Sequence, residues 1–357
     1  MADPLVGVLG ATGAVGGVVL EVLAERNFPL RDLVPLASSR SAGSTIKFRG
    51  QDFTVREATP GAFAGIDVLF SAVGSSTSRE LAPHAVQAGA VVIDKTSAWR
   101  YDDDVPLVIP EVNPGDIDWH KGIISCPNCS TIQMVMALTP IEREYGIERV
   151  VVATYQSVSG AGAAAMQELT DQTAAVAAGN PPAVEILPHQ IVQNVVPEVE
   201  SFRLEDGYTS EEWKMAVETR KIMHLPDLRI SATCVRVPVY RAHSEAVTVE
   251  CTRPVDPDGV RAALAAFPGI RVVDDIADPA YPTALDASNN DDVWVGRIRR
   301  DTSSDNGIVM WVVSDNLRKG AATNSVQIAE FLSLSPSPIS LRAGVRQENG
   351  AGNRPSR

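Results

Sequence analysis

Over residues 1–125 the chain alternates short apolar runs with stretches whose apolar positions recur at helical spacing. "LVGVLG" (5–10) is one such run; it ends in glycine, and a helical pattern from Val15 to Glu25 follows directly. "LVPLAS" (33–38), "DVLFSAV" (67–73) and "AVVIDK" (90–95) read as further buried strands, and "SRELAPHAVQAG" (78–89) as a crossover helix closed by Gly89. Strands and helices in this alternation predict a parallel sheet covered on both faces.

Beyond residue 126 the texture changes. A helix is expected from Cys129 or Ser130, and Thr139-Pro140-Ile141-Glu142 reads as a capping box that starts another. Residues 149–160 are strand-like, 161–179 form a long Ala-rich helix, 180–210 are Pro-rich and irregular, and 210–223 are amphipathic. Residues 229–239, 245–253 and 307–315 read as long antiparallel strands, and the Pro/Ser/Gly/Arg-rich tail 335–357 as disordered. The fold class expected is α/β: an N-terminal Rossmann-type dinucleotide-binding domain (1–128) and an α+β catalytic domain (129–319) with a mainly antiparallel sheet.

Composition narrows the partners. The 357 residues are 45% apolar and 21% charged, ordinary values for a globular chain long enough for two domains. A net charge of −13 argues against nucleic acid as a partner, because such binders need basic surface. No signal peptide and no membrane span are legible, so a cytoplasmic protein with reduced thiols is expected.

Two motifs carry chemistry. Gly10, Gly13 and Gly16 stand between the first strand and first helix, with Thr12, Ala14 and Val15 among them. Glycines there let the backbone approach a pyrophosphate, and the helix N-terminus offers free N–H groups. The second strand ends in "SSR" and not in the acid that would hold a ribose 2′-hydroxyl; Ser38, Ser39 and Arg40 could hold a 2′-phosphate instead, which favours NADP. "CPNC" (126–129) allows three readings: half a metal site, a redox dithiol, or a nucleophile beside a spectator. A zinc site lacks a second ligand pair, since Cys234, Cys251 and the five histidines are scattered, so no metal is expected. Asn128 can cap a helix whose dipole stabilises a Cys129 thiolate, which makes Cys129 the expected nucleophile and Cys126 a second thiol nearby.

"GATGAVG", "SSRSAG", "PNCST", "YQSVSGAG", "EEWKMAVETRKI", "CVRVPVYRAHSEAVTVE" and "DNLRKGAATNSVQ" follow one another as in aspartate-semialdehyde dehydrogenases, from about residue 4 to residue 333. The resemblance implies reversible NADP-dependent reductive dephosphorylation of L-aspartyl 4-phosphate to L-aspartate 4-semialdehyde through a thioester on Cys129, a step toward lysine, threonine, methionine and diaminopimelate. By resemblance His243 is the general acid/base and Gln156 orients the intermediate. Arg236 takes the α-carboxylate, Glu211, favoured over Glu212 by its spacing to Lys214, takes the α-ammonium, and Lys214, Arg100 and Asn128 surround the phosphate. Asn324 and Gln327 return to the cofactor from a C-terminal helix at about 320–334 that joins the first domain, and Ser71, Gly74, Ser159 and Gly162 line its path. A homodimer packed through the second domain is expected. The rival readings are an N-acetyl-glutamyl-phosphate reductase type, which would not need a carboxylate for an acetylated amine, and a non-catalytic relative, which should have lost Cys129 or His243.

Overall fold

The computed structural model describes residues 3–334; the tail expected to be disordered lies outside them. In the first half β1 (Leu5–Leu9), α1 (Ala14–Glu25) and β2 (Asp32–Ala37) are followed by a small hairpin of β3 (Thr45–Phe48) and β4 (Gln51–Thr54) and by short β5 (Arg56–Glu57). Then come β6 (Val68–Ser71), α2 (Ser75–Gln87), β7 (Val91–Asp94) and β8 (Ile123–Ser125). The sheet order is β5-β2-β1-β6-β7-β8, and every pairing is parallel. Chain order reverses between β1 and β6, so a crevice opens at their carboxyl ends, the position at which open α/β sheets bind ligands.

The second half begins with α3 (Cys129–Tyr145), followed by β9 (Ile147–Gln156), α4 (Ala163–Ala177) and α5 (Ser210–Met223). It continues through β10 (Arg229–Arg236), β11 (His243–Cys251), α6 (Pro257–Ala265), β12 (Ile270–Val272), α7 (Ala284–Ala287), β13 (Val293–Arg300) and β14 (Gly307–Ser314). α8 (Thr323–Leu334) is the last of the described elements. Its Val326, Ile328 and Ala329 pack in one core with Val6, Val8, Val18, Val22 and Phe70, so the C-terminal helix completes the first sheet's cover.

Three expectations need correction. Thr139-Pro140 does not start a new helix: α3 runs unbroken to Tyr145 with Pro140 inside it. Every residue from Ser130 to Ile141 is buried, so packing on all sides holds the helix where local sequence would break it, and the Thr139 hydroxyl donates 2.7 Å to the Val135 carbonyl. The second sheet, in order β10-β9-β11-β14-β13-β12, is mainly antiparallel as expected, but the run at 229–239 is not an antiparallel strand: β10 runs parallel to β9, as β12 does to β13. A long crossover through α4 and α5 brings the chain back to the same end of the sheet, which makes β10 parallel. β13 went unread because Arg297, Arg299 and Arg300 mask its alternation, and a bulge after Gly296 breaks it.

One face of this sheet packs on α3, α5 and α6. The other face carries half-exposed aromatics, with Tyr155 against Trp311 at 5.3 Å between ring centres.

Candidate active site

Strand register builds the site. Arg236 pairs with Gln156, and His243 pairs with Ser314; Ser244 opposite Tyr155 puts His243 beside Gln156. Arg236, Gln156, His243 and Ser314 therefore form one cross-strand row at one end of the sheet, on the face that α3 and α5 cover. One row further in stand Cys234, Thr154, Glu245 and Val312. Cys129 opens α3 above the first row, and Glu211 sits in the first turn of α5. A cavity of about 570 Å³ gathers Asn128, Cys129, Gln156, Glu211 and Arg236 with residues of the irregular 180–209 segment, including Leu187, Val199 and Glu200.

Hydrogen bonds fix these side chains. Asn128 Nδ2 donates to Glu211 Oε1 at 2.8 Å and Gln156 Nε2 donates to the same oxygen at 3.0 Å; Oε2 has Lys214 at 3.8 Å. Neighbouring Glu212 is committed elsewhere: it completes the capping box with Thr209 and accepts from the Cys234 N–H at 2.9 Å. Of the two acids only Glu211 faces the cavity. Arg236 donates from Nη1 to the Ser157 carbonyl at 2.8 Å, and no described carboxylate pairs with it. Asn128 stands at the N-cap of α3, but its side chain caps nothing; it is turned to Glu211 and takes the Cys129 thiol on Oδ1 at 3.5 Å.

The thiol departs from the sequence expectation. Burial and the Glu211 carboxylate push Cys129 up to about 11, against the pull of Lys95, Arg100 and Arg236. In the free chain it is a thiol at neutral pH. The neighbours of His243 set its tautomer. Its Nδ1 accepts the Ser157 N–H at 3.1 Å and faces the Ser157 hydroxyl at 3.0 Å. A backbone N–H can only donate, so the neutral ring carries its proton on Nε2, which meets no protein partner. Burial and the nearby Arg236 charge hold the ring well below the usual histidine range. A neutral ring with Nε2–H donates a hydrogen bond; carrying a full proton would require Nδ1 to give up the Ser157 N–H.

Beside the substrate side lies a cavity of about 630 Å³ lined by Ala14, Val15, Gly74, Arg100, Asn128, Cys129, Ser159, Gly162 and Lys214. A third, of about 620 Å³, is lined by Gly10, Thr12, Gly13, Ser38, Ser39 and Gly74. The glycines are dictated by space. Gly10 has φ +86°, and a Cβ there would lie 2.5 Å from the Ala72 carbonyl oxygen; one on Gly16 would lie 2.1 Å from the Gly10 oxygen. α1 has no side-chain N-cap and no acid in its first turn, so its leading N–H groups are open to an anion.

Several expected cofactor residues stand elsewhere. Gly16 lets α1 pack on the turn and lines neither of these two cavities. Ser71 is buried at the end of β6, Arg40 lies in the exposed turn after β2, and neither lines them. Asn324 donates to the Val108 carbonyl at 2.9 Å and to Cys126 Sγ at 3.3 Å. Gln327 joins Lys319 and Glu111 in a buried cluster. The "DNLRKGAATN" motif reaches the cleft through Asn316, Leu317, Gly320 and Ala321 instead, because a single π-turn, Arg318–Ala322, reorients the chain before α8. Lys214 pairs with Glu200, and Arg100 is held by Glu218 at 3.0 Å and by the Cys126 and Lys95 carbonyls. Cys126 is buried beside α8, and no cysteine is bonded to another. Sequence reasoning missed Lys95 and Ser157; the run "DKTSAWR" just before Arg100 held the signal for the first.

Among the described residues no group of His, Cys, Asp and Glu is placed to hold a metal, and no helix is long and apolar enough to cross a membrane.

Residues 5–120 match the family description "Semialdehyde dehydrogenase, NAD binding domain", and residues 138–319 match "Semialdehyde dehydrogenase, dimerisation domain". The aspartate-semialdehyde dehydrogenase of Aquifex aeolicus is 52% identical over 331 residues, covering 92% of this chain and 97% of that protein. The crystal structure of aspartate semialdehyde dehydrogenase II from Vibrio cholerae complexed with ASA superposes with a TM-score of 0.91 at 46% identity, over 93% of this chain and 99% of that one. The Candida albicans aspartate semialdehyde dehydrogenase with NADP superposes with a TM-score of 0.72 at 28% identity, over 93% of this chain and 98% of that one.

Proposed function

The chain belongs to the aspartate-semialdehyde dehydrogenase family, and we propose that it interconverts L-aspartyl 4-phosphate and L-aspartate 4-semialdehyde with NADP(H) and inorganic phosphate. The observation that carries this reading is that a buried carboxylate, Glu211, and a guanidinium with no carboxylate partner, Arg236, line one cavity with Cys129. An amino acid bound there meets a carboxylate for its ammonium and a guanidinium fork for its α-carboxylate. An N-acetylated substrate would leave Glu211 buried without its cation.

The chemistry follows from charge. The substrate ammonium neutralises Glu211 and removes its push on the Cys129 thiol. The sulfur attacks the acyl carbon as it gives up its proton, a C–S bond forms, the acyl C–O bond to the phosphate breaks, and phosphate leaves with that proton from the side lined by Asn128, Arg100 and Lys214. NADPH, when bound, supplies a hydride to the thioester carbon. The resulting oxyanion collapses to aldehyde and regenerates the thiolate, so that step consumes no proton. His243 serves it by donating a hydrogen bond from Nε2–H to the oxyanion, with Ser157 holding the tautomer. Gln156, held by Glu211 and Thr154, keeps the intermediate in line.

The glycine loop, the open α1 N-terminus and the absence of an acid after β2 fit NADP, with Ser38 and Ser39 at the 2′-phosphate. The uncovered face of the second sheet fits a second copy of the chain, and an aqueous, cytoplasmic enzyme is the setting this chemistry needs. One assay tests the reading: NADP⁺ reduction with L-aspartate 4-semialdehyde and phosphate, compared with NAD⁺. No turnover, or an equal kcat/KM for NAD⁺, would overturn it.

A further inference from the structure

Lys95 follows directly on β7, where the chain turns into the cleft. Its backbone is fixed at both ends: its N–H donates to the Ser71 carbonyl at 3.1 Å, and its carbonyl accepts from Arg100 Nη2 at 2.8 Å. The adjacent Asp94 is fully engaged by Ser78 and Thr96, so it does not serve as the lysine's partner. The side chain lines the cavity shared by Asn128, Cys129 and Lys214.

The cations around that cavity are not equivalent. Arg100 arrives paired with Glu218, and Lys214 arrives paired with Glu200. Each pair carries no net charge, and Glu211 adds a negative one. Lys95 makes no ion pair and its ammonium meets no hydrogen-bond acceptor among the described residues, so it is the uncompensated positive charge on this side of the reacting sulfur. Arg236 plays the equivalent part on the substrate side.

We propose that the Lys95 ammonium is the counter-charge of the Cys129 thiolate, a residue of the reacting centre in addition to those already placed there. The inference rests on Cys129 being the nucleophile. The charged groups that act on Cys129 are few: Lys95 after β7, Arg100 with its Glu218, Glu211 from α5 and Arg236 from β10. The turn before α8 brings only backbone, at Gly320, because Lys319 is turned away to Glu111. Among the cations that favour the thiolate, Lys95 acts most strongly, ahead of Arg100 and Arg236. Burial lowers Lys95 below the usual lysine range, and the cysteine is the strongest charge opposing that shift.

The test uses the full chain without cofactor or substrate. The pH dependence of Cys129 alkylation by iodoacetamide is followed by tandem mass spectrometry, which separates Cys129 from Cys126. Lys95→Met, with Lys95→Gln as a second neutral variant should the first fail to fold, is expected to move the midpoint up by about one pH unit, a tenfold loss of thiolate at fixed pH. Lys95→Arg is expected to restore it, which a merely structural role would not do. An unmoved midpoint in a folded neutral variant overturns the proposal; if NADP⁺ affinity alone falls, the ammonium belongs to the cofactor. Because alkylation needs no turnover, this result stands or falls separately from the aspartate-semialdehyde assay.

Discussion

Replacing Glu211 with Gln should make the nucleophile more acidic while making the enzyme worse. The Glu211 carboxylate is the strongest charge opposing the Cys129 thiolate, and with burial it puts the thiol at about 11. Gln keeps the shape, and its amide oxygen can still accept from Asn128 and Gln156, so the local framework should survive. Removing a like charge this close lowers a pKa by about one unit, 1.36 kcal/mol. At pH 8 the thiolate fraction rises about tenfold, but a less basic sulfur is also less nucleophilic, with a Brønsted slope of about 0.4–0.5. The net alkylation rate should therefore rise about threefold, with the midpoint of its pH profile lower by about one unit. The substrate meanwhile loses the partner of its ammonium, at roughly 2–5 kcal/mol. KM for L-aspartate 4-semialdehyde should rise about 30-fold to several-thousand-fold. The assay pair is iodoacetamide alkylation of the free chain and steady-state kinetics. A midpoint that stays or rises would refute the electrostatic argument, and an unchanged KM would refute the ammonium site.

Three further outcomes follow from the same geometry. His243 is held neutral well below its usual range, so log kcat/KM should rise with pH as the thiol ionises and show no separate break between pH 6 and 7; a break there would return His243 to proton transfer. Glu245 is buried with only the Gln133 amide beside its carboxylate, and burial raises it well above the usual carboxylate range. An acid raised in the folded state favours folding fully below its unfolded value near 4.3 and loses that contribution as pH rises toward its folded value, so Glu245→Gln should raise Tm at pH 8 and the gain should vanish toward pH 4; a gain independent of pH would contradict this. Tyr155→Glu, on the half-exposed outer sheet face, should convert a dimer into a monomer by light scattering without loss of fold, and a parent chain that is already monomeric would remove that face from consideration as an interface.

The sequence was readable where pattern and burial agree. The apolar runs that became β1, β2, β6 and β7, and the glycine loop between β1 and α1, announce the first sheet because parallel strands are buried on both faces. Cys129 was visible as the head of a helix. What could not be read were properties that exist only between elements. The row of Arg236, Gln156 and His243 is a product of register among three strands far apart in sequence. The raised thiol depends on a carboxylate brought in by α5, and the neutral tautomer of His243 on a backbone N–H from the end of β9. Asn324 and Gln327 were misplaced for a local reason: one π-turn before α8 rotates them out of the cleft and Gly320 into it.

The return of α8 to the first sheet has a consequence for how the chain is made. Leu317, Ala322, Val326, Ile328 and Ala329 form part of the wall against which Val6, Val8 and Val22 are buried. A ribosome emits β1 well before α8, so the nucleotide-binding half lacks this wall while the second half is being translated. The usual order, in which an N-terminal domain folds while its successor is synthesised, does not hold here. The same segment that seals the first core lays the Gly320 backbone against Cys129, so docking of α8 completes the nucleotide-side core and the wall of the reactive centre together.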